Sequence, residues 1–461
     1  MNSVANLLGV LVCIIAANCD RVYVHPFYLI TFENSRGCEE VEARGQLEKT
    51  FSPISIESHI TSPYKVDFRN ESEELGVKPS GVNILKGNVY VLGARFYKEL
   101  RDIHKGDNIF LSPSNIYESL LAFYLGASGQ TARDLQSLLG FHTPSSDPNC
   151  TSKIDGRKVL STLRVISGPL HPEEADGLAF SKHFYLFSAP DIHLYESFVY
   201  DLASPDINFY VRAVDFSNPR QAVEQINAFV GDKSTHGTKS LLTDIDPDTT
   251  LLFAAYTKFK ATVKEASLLK ELQEFWPSPD TKISVPMMRV MGTFEYKCDD
   301  DLSLSVIKIP ISKDVFLLLL QPANSSYLSS AEAQYSLQPS SEWLQKLSPR
   351  QIRLTLPTIS FESIYNLQEP LEMLKLPELL GNKANLTMLS DSNVTIGKII
   401  NQQCFELNPS RTDQDDNPSG QNEDAETLKI TLSEPFLIAI YEEQSNTLLY
   451  FGRVTNPLKG V

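Results

Sequence analysis

The chain has 461 residues, of which 42% are hydrophobic and 21% are charged, and its formal net charge at pH 7 is −16. The apolar content is sufficient for a large core, and the excess of carboxylates disfavours nucleic acid and anionic membrane surfaces as partners. A net charge of this size mainly favours solubility at high protein concentration.

A short apolar segment near the amino terminus predicts a secretory signal peptide over residues 1–19. Residues 7–17 are an uninterrupted run of small or apolar residues, and Ala17 and Cys19 supply the small residues that signal peptidase recognises. The run is too short for a membrane helix. No Lys or Arg precedes it, which departs from the usual pattern, and the alternative is a buried amino-terminal strand. We expect a secreted, extracellular protein of plasma.

The next ten residues, D-R-V-Y-V-H-P-F-Y-L at positions 20–29, would form the amino terminus of the mature chain. Their alternating apolar residues favour an extended conformation, and Pro26 biases His25 towards it. An extended segment with large apolar residues on both sides of one bond, here Leu29 and Ile30, is a suitable substrate for an aspartic protease. The alternative is a half-buried strand of the body that contains Val22, Val24, Phe27 and Leu29.

The remaining chain divides into a polar tail, a compact region and one acidic segment. Residues 30–87 predict an extended tail with little regular structure. Apolar spacing from Asn88 onward predicts a helix that buries Val91 and Phe96, and Ser112-Pro113 predicts the start of a second helix that ends near Gly126. Further strands are predicted at 250–256, 282–288, 304–309, 315–320, 352–356, 436–441 and 448–451.

Residues 408–427 contain six acidic residues, two prolines and almost no apolar side chain. A segment of this composition cannot offset its own ordering entropy, so it is predicted to be an exposed loop. It lies between two segments that read as strands.

Four cysteines remain outside the leader, and they permit three full pairings among which spacing does not choose: Cys38, Cys150, Cys298 and Cys404. Five N-x-S/T sequons fit a glycosylated secreted chain: Asn70, Asn149, Asn324, Asn385 and Asn393. No metal-ligand spacing, phosphate loop or nucleophile motif is present, so we expect no metal, no cofactor and no enzyme activity.

Three ordered blocks of this sequence resemble the serpin family. They are N-I-F-L-S-P-S-N through L-L-G-F at 108–141, S-V-P-M-M and M-G-T-F at 284–288 and 291–294, and E-P-F-L and F-G-R-V-T-N-P at 434–437 and 451–457. The resemblance implies a single α+β domain over residues 88–461, with about nine helices, three β-sheets and an exposed reactive-centre loop at about 406–431. It also implies the extended N-terminal tail of residues 30–87.

The reactive-loop composition argues against the usual inhibitory role of that family. An inhibitory serpin inserts its cleaved loop as a new strand of the main sheet, and this requires small, uncharged residues. The equivalent segment here contains Pro409, Pro418 and several carboxylates, which a sheet interior would exclude or leave unpaired. The alternatives that stay open are a protease inhibitor and a serpin that carries a small lipophilic hormone.

Within a non-inhibitory serpin, residues 20–29 resemble a peptide hormone precursor. Residues 20–27 are identical to a vasoactive octapeptide that controls blood pressure and salt balance, and Tyr28 stands where His is usual. The resemblance implies cleavage of the Leu29–Ile30 bond by an aspartic protease, then cleavage between Phe27 and Tyr28 by a converting dipeptidase. It assigns the contacts with a G-protein-coupled receptor to Asp20, Arg21, Val22, Tyr23, Val24, His25, Pro26 and Phe27.

The same resemblance implies a disulfide between Cys38 and Cys150 that ties the tail to the body. The alternatives are two separate thiols or a different pairing. Cys298 and Cys404 match no family position, so we expect buried thiols there, with a mutual bridge as the alternative. The protein is expected to be a monomer without nucleic acid or membrane partners.

Overall fold

A computed structural model of the protein describes residues 22–24, 50–51, 59–60, 79–141, 152–154, 156–167, 177–203, 208–233, 240–299, 303–337, 343–376, 379, 383–411, 427–443 and 446–459. Several predicted features lie outside the described residues: the leader 1–19, Asp20, Arg21, residues 25–30, Cys38, Cys150, Asn70 and Asn149.

Eight α-helices and one 3-10 helix occur within the described residues. The α-helices are α1 Pro79–Ile103, α2 Pro113–Gly126, α3 Gly129–Leu138, α4 Gly156–Ser167, α5 Glu196–Leu202, α6 Pro219–Lys233, α7 Leu328–Leu337 and α8 Gln368–Met373. The 3-10 helix is Ser325–Tyr327.

The strands in chain order are β1 Val22–Val24, β2 Thr50–Phe51, β3 His59–Ile60, β4 Ile109–Leu111, β5 Ser152–Ile154, β6 Leu178–Ser188, β7 Leu194–Tyr195, β8 Asn208–Ala213, β9 Leu251–Leu268 and β10 Gln273–Ser278. They continue with β11 Thr281–Val285, β12 Met287–Asp299, β13 Leu304–Pro310, β14 Val315–Pro322, β15 Ser348–Pro357, β16 Ile359–Asn366, β17 Ile396–Arg411, β18 Leu428–Thr431, β19 Phe436–Glu442 and β20 Leu448–Val454.

Fourteen strands form one connected network, in which three sheets can be distinguished. The sheets are joined where β12 pairs with β9 and with β13. The central sheet has the order β8-β6-β9-β17-β16, in which β9 and β17 are parallel neighbours. A second sheet contains β12, β15 and β18, and a third runs β13-β14-β19-β20-β4. This α+β arrangement of helices around three sheets confirms the predicted fold class.

The helix α2 lies beneath the central sheet, and its ends follow from local sequence. The Ser112 side chain accepts a hydrogen bond from the Asn115 backbone N–H, and Pro113 occupies the first turn, as is usual for a helix start. The helix ends at Gly126, where a Cβ atom would lie 2.8 Å from the Cβ atom of Leu389. The predicted second helix is therefore confirmed at both ends.

All seven predicted strands are present, and most are longer than expected. The segment predicted at 315–320 belongs to β14, whose residues there are all buried, as expected for a strand covered on both faces. The segment predicted at 282–288 is divided at Pro286 into β11 and β12. Because Pro286 lies between the two strands, its lack of a backbone N–H removes no inter-strand hydrogen bond from either of them.

Two sequence predictions about the first helix are wrong. Helix α1 begins at Pro79 rather than near Asn88, so it includes the last residues of the predicted tail, in which β2 and β3 are strands of two residues each. Val91 was expected in the core but its side chain is 49% exposed, whereas Phe96 is fully buried as predicted. Helical spacing identifies the apolar face of a helix. How much of that face is buried depends on the elements packed against it.

A buried ion pair connects α2 to the central sheet. The ammonium of Lys182 on β6 contacts the carboxylate of Glu118 on α2, and the two side chains are only 7% and 4% exposed. Burial lowers the pKa of Lys182, and the Glu118 carboxylate opposes that shift. Lys182 also lies 4.9 Å from the centroid of the Phe184 ring. Each charge depends on the other because both have lost their hydration.

We predict that Lys182→Met lowers the free energy of unfolding by about 3–5 kcal/mol, because it leaves the Glu118 carboxylate buried without its cation. Urea denaturation at pH 7 measures this change. The double variant Lys182→Met/Glu118→Leu removes both charges and should recover most of the loss. Equal stabilities for the single and double variants would contradict the assignment of this pair as interdependent.

Candidate functional site

Part of the amino-terminal segment that resembles a hormone forms a short strand pair with a distant part of the chain. β1 runs parallel to β5, with Val22 opposite Ser152, Tyr23 opposite Lys153 and Val24 opposite Ile154. This agrees with the alternative prediction that Val22 and Val24 belong to a strand. That strand pairs with the segment before α4 and not with a strand of the central sheet. Strand pairing and a peptide function are compatible, because a protease also binds its substrate in extended form.

No feature of the sequence predicts Ser152–Ile154 as the strand that pairs with the hormone-like segment. Ser152, Lys153 and Ile154 are three unremarkable residues, and a parallel partner more than a hundred positions away is not encoded in local spacing. Only the nearby Asn149-Cys150-Thr151 sequence drew attention to this region.

The direct pairing of β9 with β17 forms the seam at which an inhibitory serpin would insert its loop. The two strands are paired from Leu251 opposite Ile396 to Ser267 opposite Arg411. Towards the carboxy-terminal end of β17, the Glu406 carboxylate lies 3.1 Å from the Lys258 ammonium and 3.7 Å from the Lys260 ammonium. These cross-strand ion pairs stabilise the closed seam, and an inserted strand would have to separate them.

The predicted exposed loop at 408–427 is wrong at its first four residues. β17 continues to Arg411, so Asn408 and Pro409 are half-buried in the sheet, with Pro409 opposite Val263. Proline is tolerated here because β16 ends its pairing at Leu407, which leaves β17 without a neighbour on that side. Residues 412–426, which include all six carboxylates, lie outside the described residues.

A layer of buried polar side chains lies between the seam and α2. The Asn115 amide donates to the Thr257 hydroxyl at 3.2 Å, and the Asn401 amide donates to the Ser119 hydroxyl at 3.3 Å. Gln403 is fully buried, and its side-chain amide has no hydrogen-bond partner among the described residues. An unsatisfied buried amide costs about 1–3 kcal/mol, so this seam is less stable than an apolar one would be.

Three of the five predicted sequons are described, and each asparagine side chain is exposed: Asn324, Asn385 and Asn393. The Asn324 side-chain oxygen accepts hydrogen bonds from the backbone and hydroxyl of Ser326. The Asn385 side-chain oxygen contacts Thr387 in the same way, at 3.3 and 3.0 Å. In both turns the side-chain oxygen makes these hydrogen bonds, and the amide nitrogen, to which a glycan would be attached, takes no part in them.

We predict that all three sequons carry glycans when the protein is expressed in a mammalian secretory pathway, because the asparagines lie at the surface. The variants Ser326→Ala, Thr387→Ala and Thr395→Ala each destroy one sequon and should each remove one glycan. Enzymatic deglycosylation with mass spectrometry of the peptides measures occupancy. A sequon that stays unmodified in the secreted protein would contradict the prediction for that position.

The prediction that Cys298 and Cys404 are both buried is wrong for Cys298. Cys298, near the end of β12, is an exposed thiol, whereas Cys404 on β17 is a half-buried thiol. Neither forms a disulfide in the structure, so their mutual bridge is excluded. Cys298 lies opposite Ser305 of β13, and Cys404 lies between Lys258 and Glu362 in the central sheet. The exposed position follows from β12 extending beyond the buried part of its sheet.

We predict that iodoacetamide at pH 8 labels Cys298 much faster than Cys404 in the native protein. Burial raises the pKa of the Cys404 thiol to about 11, with Lys258 opposing the shift and the Glu406 and Glu362 carboxylates adding to it. Only about one in a thousand Cys404 thiols is then ionised at pH 8. Peptide mapping after timed labelling measures both rates. In urea the two rates should converge, and similar rates in the native protein would contradict the prediction.

The residues that the structure describes contain no group of three or more His, Cys, Asp or Glu side chains placed to hold a metal ion. No helix among them is long and apolar enough to cross a membrane.

Comparison with known proteins places these features in a family. A model of the family described as Serpin (serine protease inhibitor) matches residues 88–457. Angiotensinogen of Bos taurus is 35% identical over 477 residues, which cover 98% of this chain and 98% of the relative. Angiotensinogen of Homo sapiens is 35% identical over 478 residues, again covering 98% of each chain. Serpin A12 of Homo sapiens is 25% identical and covers 80% of this chain and 86% of that protein.

Solved structures share the fold. Human thyroxine-binding globulin complexed with thyroxine superposes with a TM-score of 0.68 at 20% identity, covering 82% of this chain and 100% of that chain. Uncleaved ovalbumin superposes with a TM-score of 0.66 at 21% identity, covering 81% and 100%. At these identities the likeness concerns the fold alone. Family model, relatives and fold agree, and the chain belongs to the serpin family.

Proposed function

We propose that this serpin is a secreted precursor of the vasoactive peptide angiotensin and a substrate of the aspartic protease renin. The observation that carries the proposal is the D-R-V-Y-V-H-P-F-Y-L sequence at 20–29, in a chain that matches angiotensinogens over 98% of its length. The precursor role in a serpin scaffold follows from those relatives. The cleavage steps below are inferred for this chain.

The proposed cleavage sequence has two steps. Renin cuts the Leu29–Ile30 bond and releases residues 20–29 as a decapeptide. Angiotensin-converting enzyme then cuts between Phe27 and Tyr28, and the octapeptide of residues 20–27 acts on G-protein-coupled angiotensin receptors. In this octapeptide Phe27 supplies the carboxy-terminal aromatic group, and Arg21, Tyr23 and His25 make further receptor contacts. The outcome is control of blood pressure and of salt and fluid balance.

The composition of the reactive loop supports a substrate role over an inhibitory one. Insertion would have to separate β9 from β17 and break the contacts of Glu406 with Lys258 and Lys260. It would also bring the acidic residues of the segment 412–426 into the sheet, at several kcal/mol for each carboxylate buried unpaired. No comparable gain is available from that segment, because it offers almost no apolar surface.

The tail and the processing of the chain complete the proposal. Residues 1–19 are a signal peptide, and residues 30–78 form the tail between the peptide and the first helix, α1, which begins at Pro79. The serpin domain continues to residue 461, and its reactive-loop region lies between the end of β17 at Arg411 and the start of β18 at Leu428. A disulfide between Cys38 and Cys150 attaches the tail to the body. Glycosylation at the five sequons accompanies secretion into plasma.

We predict that renin releases a single peptide, residues 20–29, from the purified secreted protein, and that mass spectrometry identifies it. The matched variant Leu29→Asp should lose this product, because an aspartic protease requires a large apolar residue on that side of the bond. Thermal unfolding of the variant controls for the integrity of the body. Cleavage at a different bond would contradict the proposal.

Inhibitory serpin activity is tested with the same protein and trypsin-like or chymotrypsin-like serine proteases. The proposal expects simple cleavage within 412–426 and no complex that survives detergent. A stable covalent complex would favour the inhibitor alternative. Saturable binding of thyroxine or another small lipophilic hormone, without release of residues 20–29 by renin, would favour the carrier alternative.

A further inference from the structure

We propose that the outer face of the second sheet, together with the adjoining end of β17, binds a sulfated polysaccharide. We call this surface the basic face. It is defined by four cationic side chains on β12, β15, β17 and β18: Arg289, Arg353, Arg411 and Lys429. Binding there needs no release of residues 20–29, so it is independent of the proposed precursor role.

Strand pairing places two of these cations in one row that crosses five strands. The row consists of directly paired residues: Arg411 of β17, Ser267 of β9, Arg289 of β12, Thr355 of β15 and Thr431 of β18. Directly paired residues of neighbouring strands point to the same side of a sheet. Arg289 and Arg411 therefore have the same orientation.

The other two cations belong to the next row on the same side. Met291 follows Arg289 by two positions and is paired with Arg353, which is in turn paired with Lys429. Because alternate residues of a strand share a side, both rows face the same way.

The basic face is the exposed side of its sheet. Residues that alternate with the cations on β12 and β15 are buried in one hydrophobic cluster: Met288, Val290, Ile352, Leu354 and Leu356. Arg289, Arg411 and Lys429 are exposed, and Arg353 is half-buried. One side of the sheet thus packs on the core and the other presents the cations to solvent.

The basic face carries an excess of positive charge. Strands β15 and β18 contain no acidic residue. Glu295, which lies on the same side of β12 as Arg289, is 3.2 Å from the ammonium of Lys308. Within the described part of the chain, neither Arg289 nor Arg411 forms an ion pair with a carboxylate.

The net charge of −16 does not prevent an anion from binding here. Electrostatic interactions between exposed charges are screened beyond about 8 Å at physiological ionic strength. An anion on the basic face therefore interacts mainly with the cations beside it, and distant carboxylates contribute little.

The spacing and type of the cations indicate an extended polyanion. Three of the four are arginines, whose guanidinium groups bind oxyanions through paired hydrogen bonds. Arg411 and Lys429 are separated by four inter-strand steps, which is roughly 19 Å. One small anion cannot contact both ends of such a row, whereas a chain with repeated anionic groups can.

The composition of the basic face favours a polysaccharide over a protein or a membrane. Protein interfaces are usually anchored by buried aromatic or apolar side chains. In the two rows only Met291 is apolar, and it is half-buried. A flat strand face also has no apolar wedge or helix to insert into lipid. Sulfate groups along a polysaccharide supply charge and hydrogen-bond acceptors without needing apolar contact.

The experiment measures binding of heparin, a sulfated polysaccharide, to the full chain by calorimetry at several salt concentrations. The test variant Arg289→Gln/Arg353→Gln/Lys429→Gln removes three cations of the basic face. Thermal unfolding shows whether the variant remains folded. Desulfated heparin, polyglutamate and vesicles containing phosphatidylserine are measured in parallel with the unaltered protein.

A matched control variant removes the same residue types from exposed positions on helices α1, α3 and α6. It is Lys98→Gln/Arg133→Gln/Arg220→Gln. The control and the test variant have the same net charge, so a difference between them reports the location of the cations and not the total charge.

We expect the logarithm of the heparin affinity to fall with the logarithm of the salt concentration with a slope of about −3, as for four ionic contacts. The test variant should bind about 30-fold more weakly, the product of three losses of about threefold each, and its slope should be about −1. The control variant should keep the slope and affinity of the unaltered protein.

Several results would overturn the proposal. One is equal heparin affinity in the test and control variants, and another is equal binding of heparin and desulfated heparin. Tighter binding of polyglutamate would assign the face to an acidic protein, and tighter binding of the vesicles would assign it to a membrane.

Arginine modification with phenylglyoxal, followed by peptide mapping, tests the same face without any variant. Heparin should slow the modification of Arg289 and Arg411 and leave that of Arg220 unchanged. Equal modification of Arg289 and Arg411 with and without heparin would overturn the proposal even if the test variant fails to fold.

Discussion

The parallel pairing of β9 with β17 is the constraint on which the rest of the body depends. Both strands are central in their sheet, and they join parts of the chain that begin at Leu251 and Ile396. Because parallel neighbours need long connections, the second and third sheets are built almost entirely from the chain between these strands and the chain after them. Phe110 belongs to one of the two hydrophobic clusters, and its ring stacks 4.5 Å from that of Phe405 of β17 in the same cluster. The backbone N–H of Phe110 donates to the hydroxyl of Tyr365, which belongs to the other cluster.

The interior of this seam combines strong and weak elements. The buried Lys182–Glu118 pair joins strand β6 to helix α2, and its two desolvated charges have few alternative positions. Glu406 joins β17 to β9 through Lys258 and through the more exposed Lys260. Gln403 and Asn401 bring amide groups into the same layer at a cost in stability. An inhibitory serpin uses its seam as the entry point for a new strand. In this chain a closed seam suffices, because a precursor of a peptide needs only a stable body that presents its amino-terminal segment.

The sequence by itself determined the helix α2 with its Ser112 cap, the seven strands, the α+β class and the hormone-like segment at 20–29. The helix and the strands follow from periodicity and caps, which are local, whereas the α+β class and the hormone-like segment follow from the resemblance of short sequence blocks to known proteins. Only the tertiary structure decided that Pro409 lies in a strand, that Val91 and Cys298 are exposed, and that Val22–Val24 pairs with Ser152–Ile154. Each of these depends on where a neighbouring strand or helix ends, and those neighbours are up to 150 positions away in sequence. Local chemistry chooses the elements, but the burial and pairing of a residue are properties of the elements packed against it.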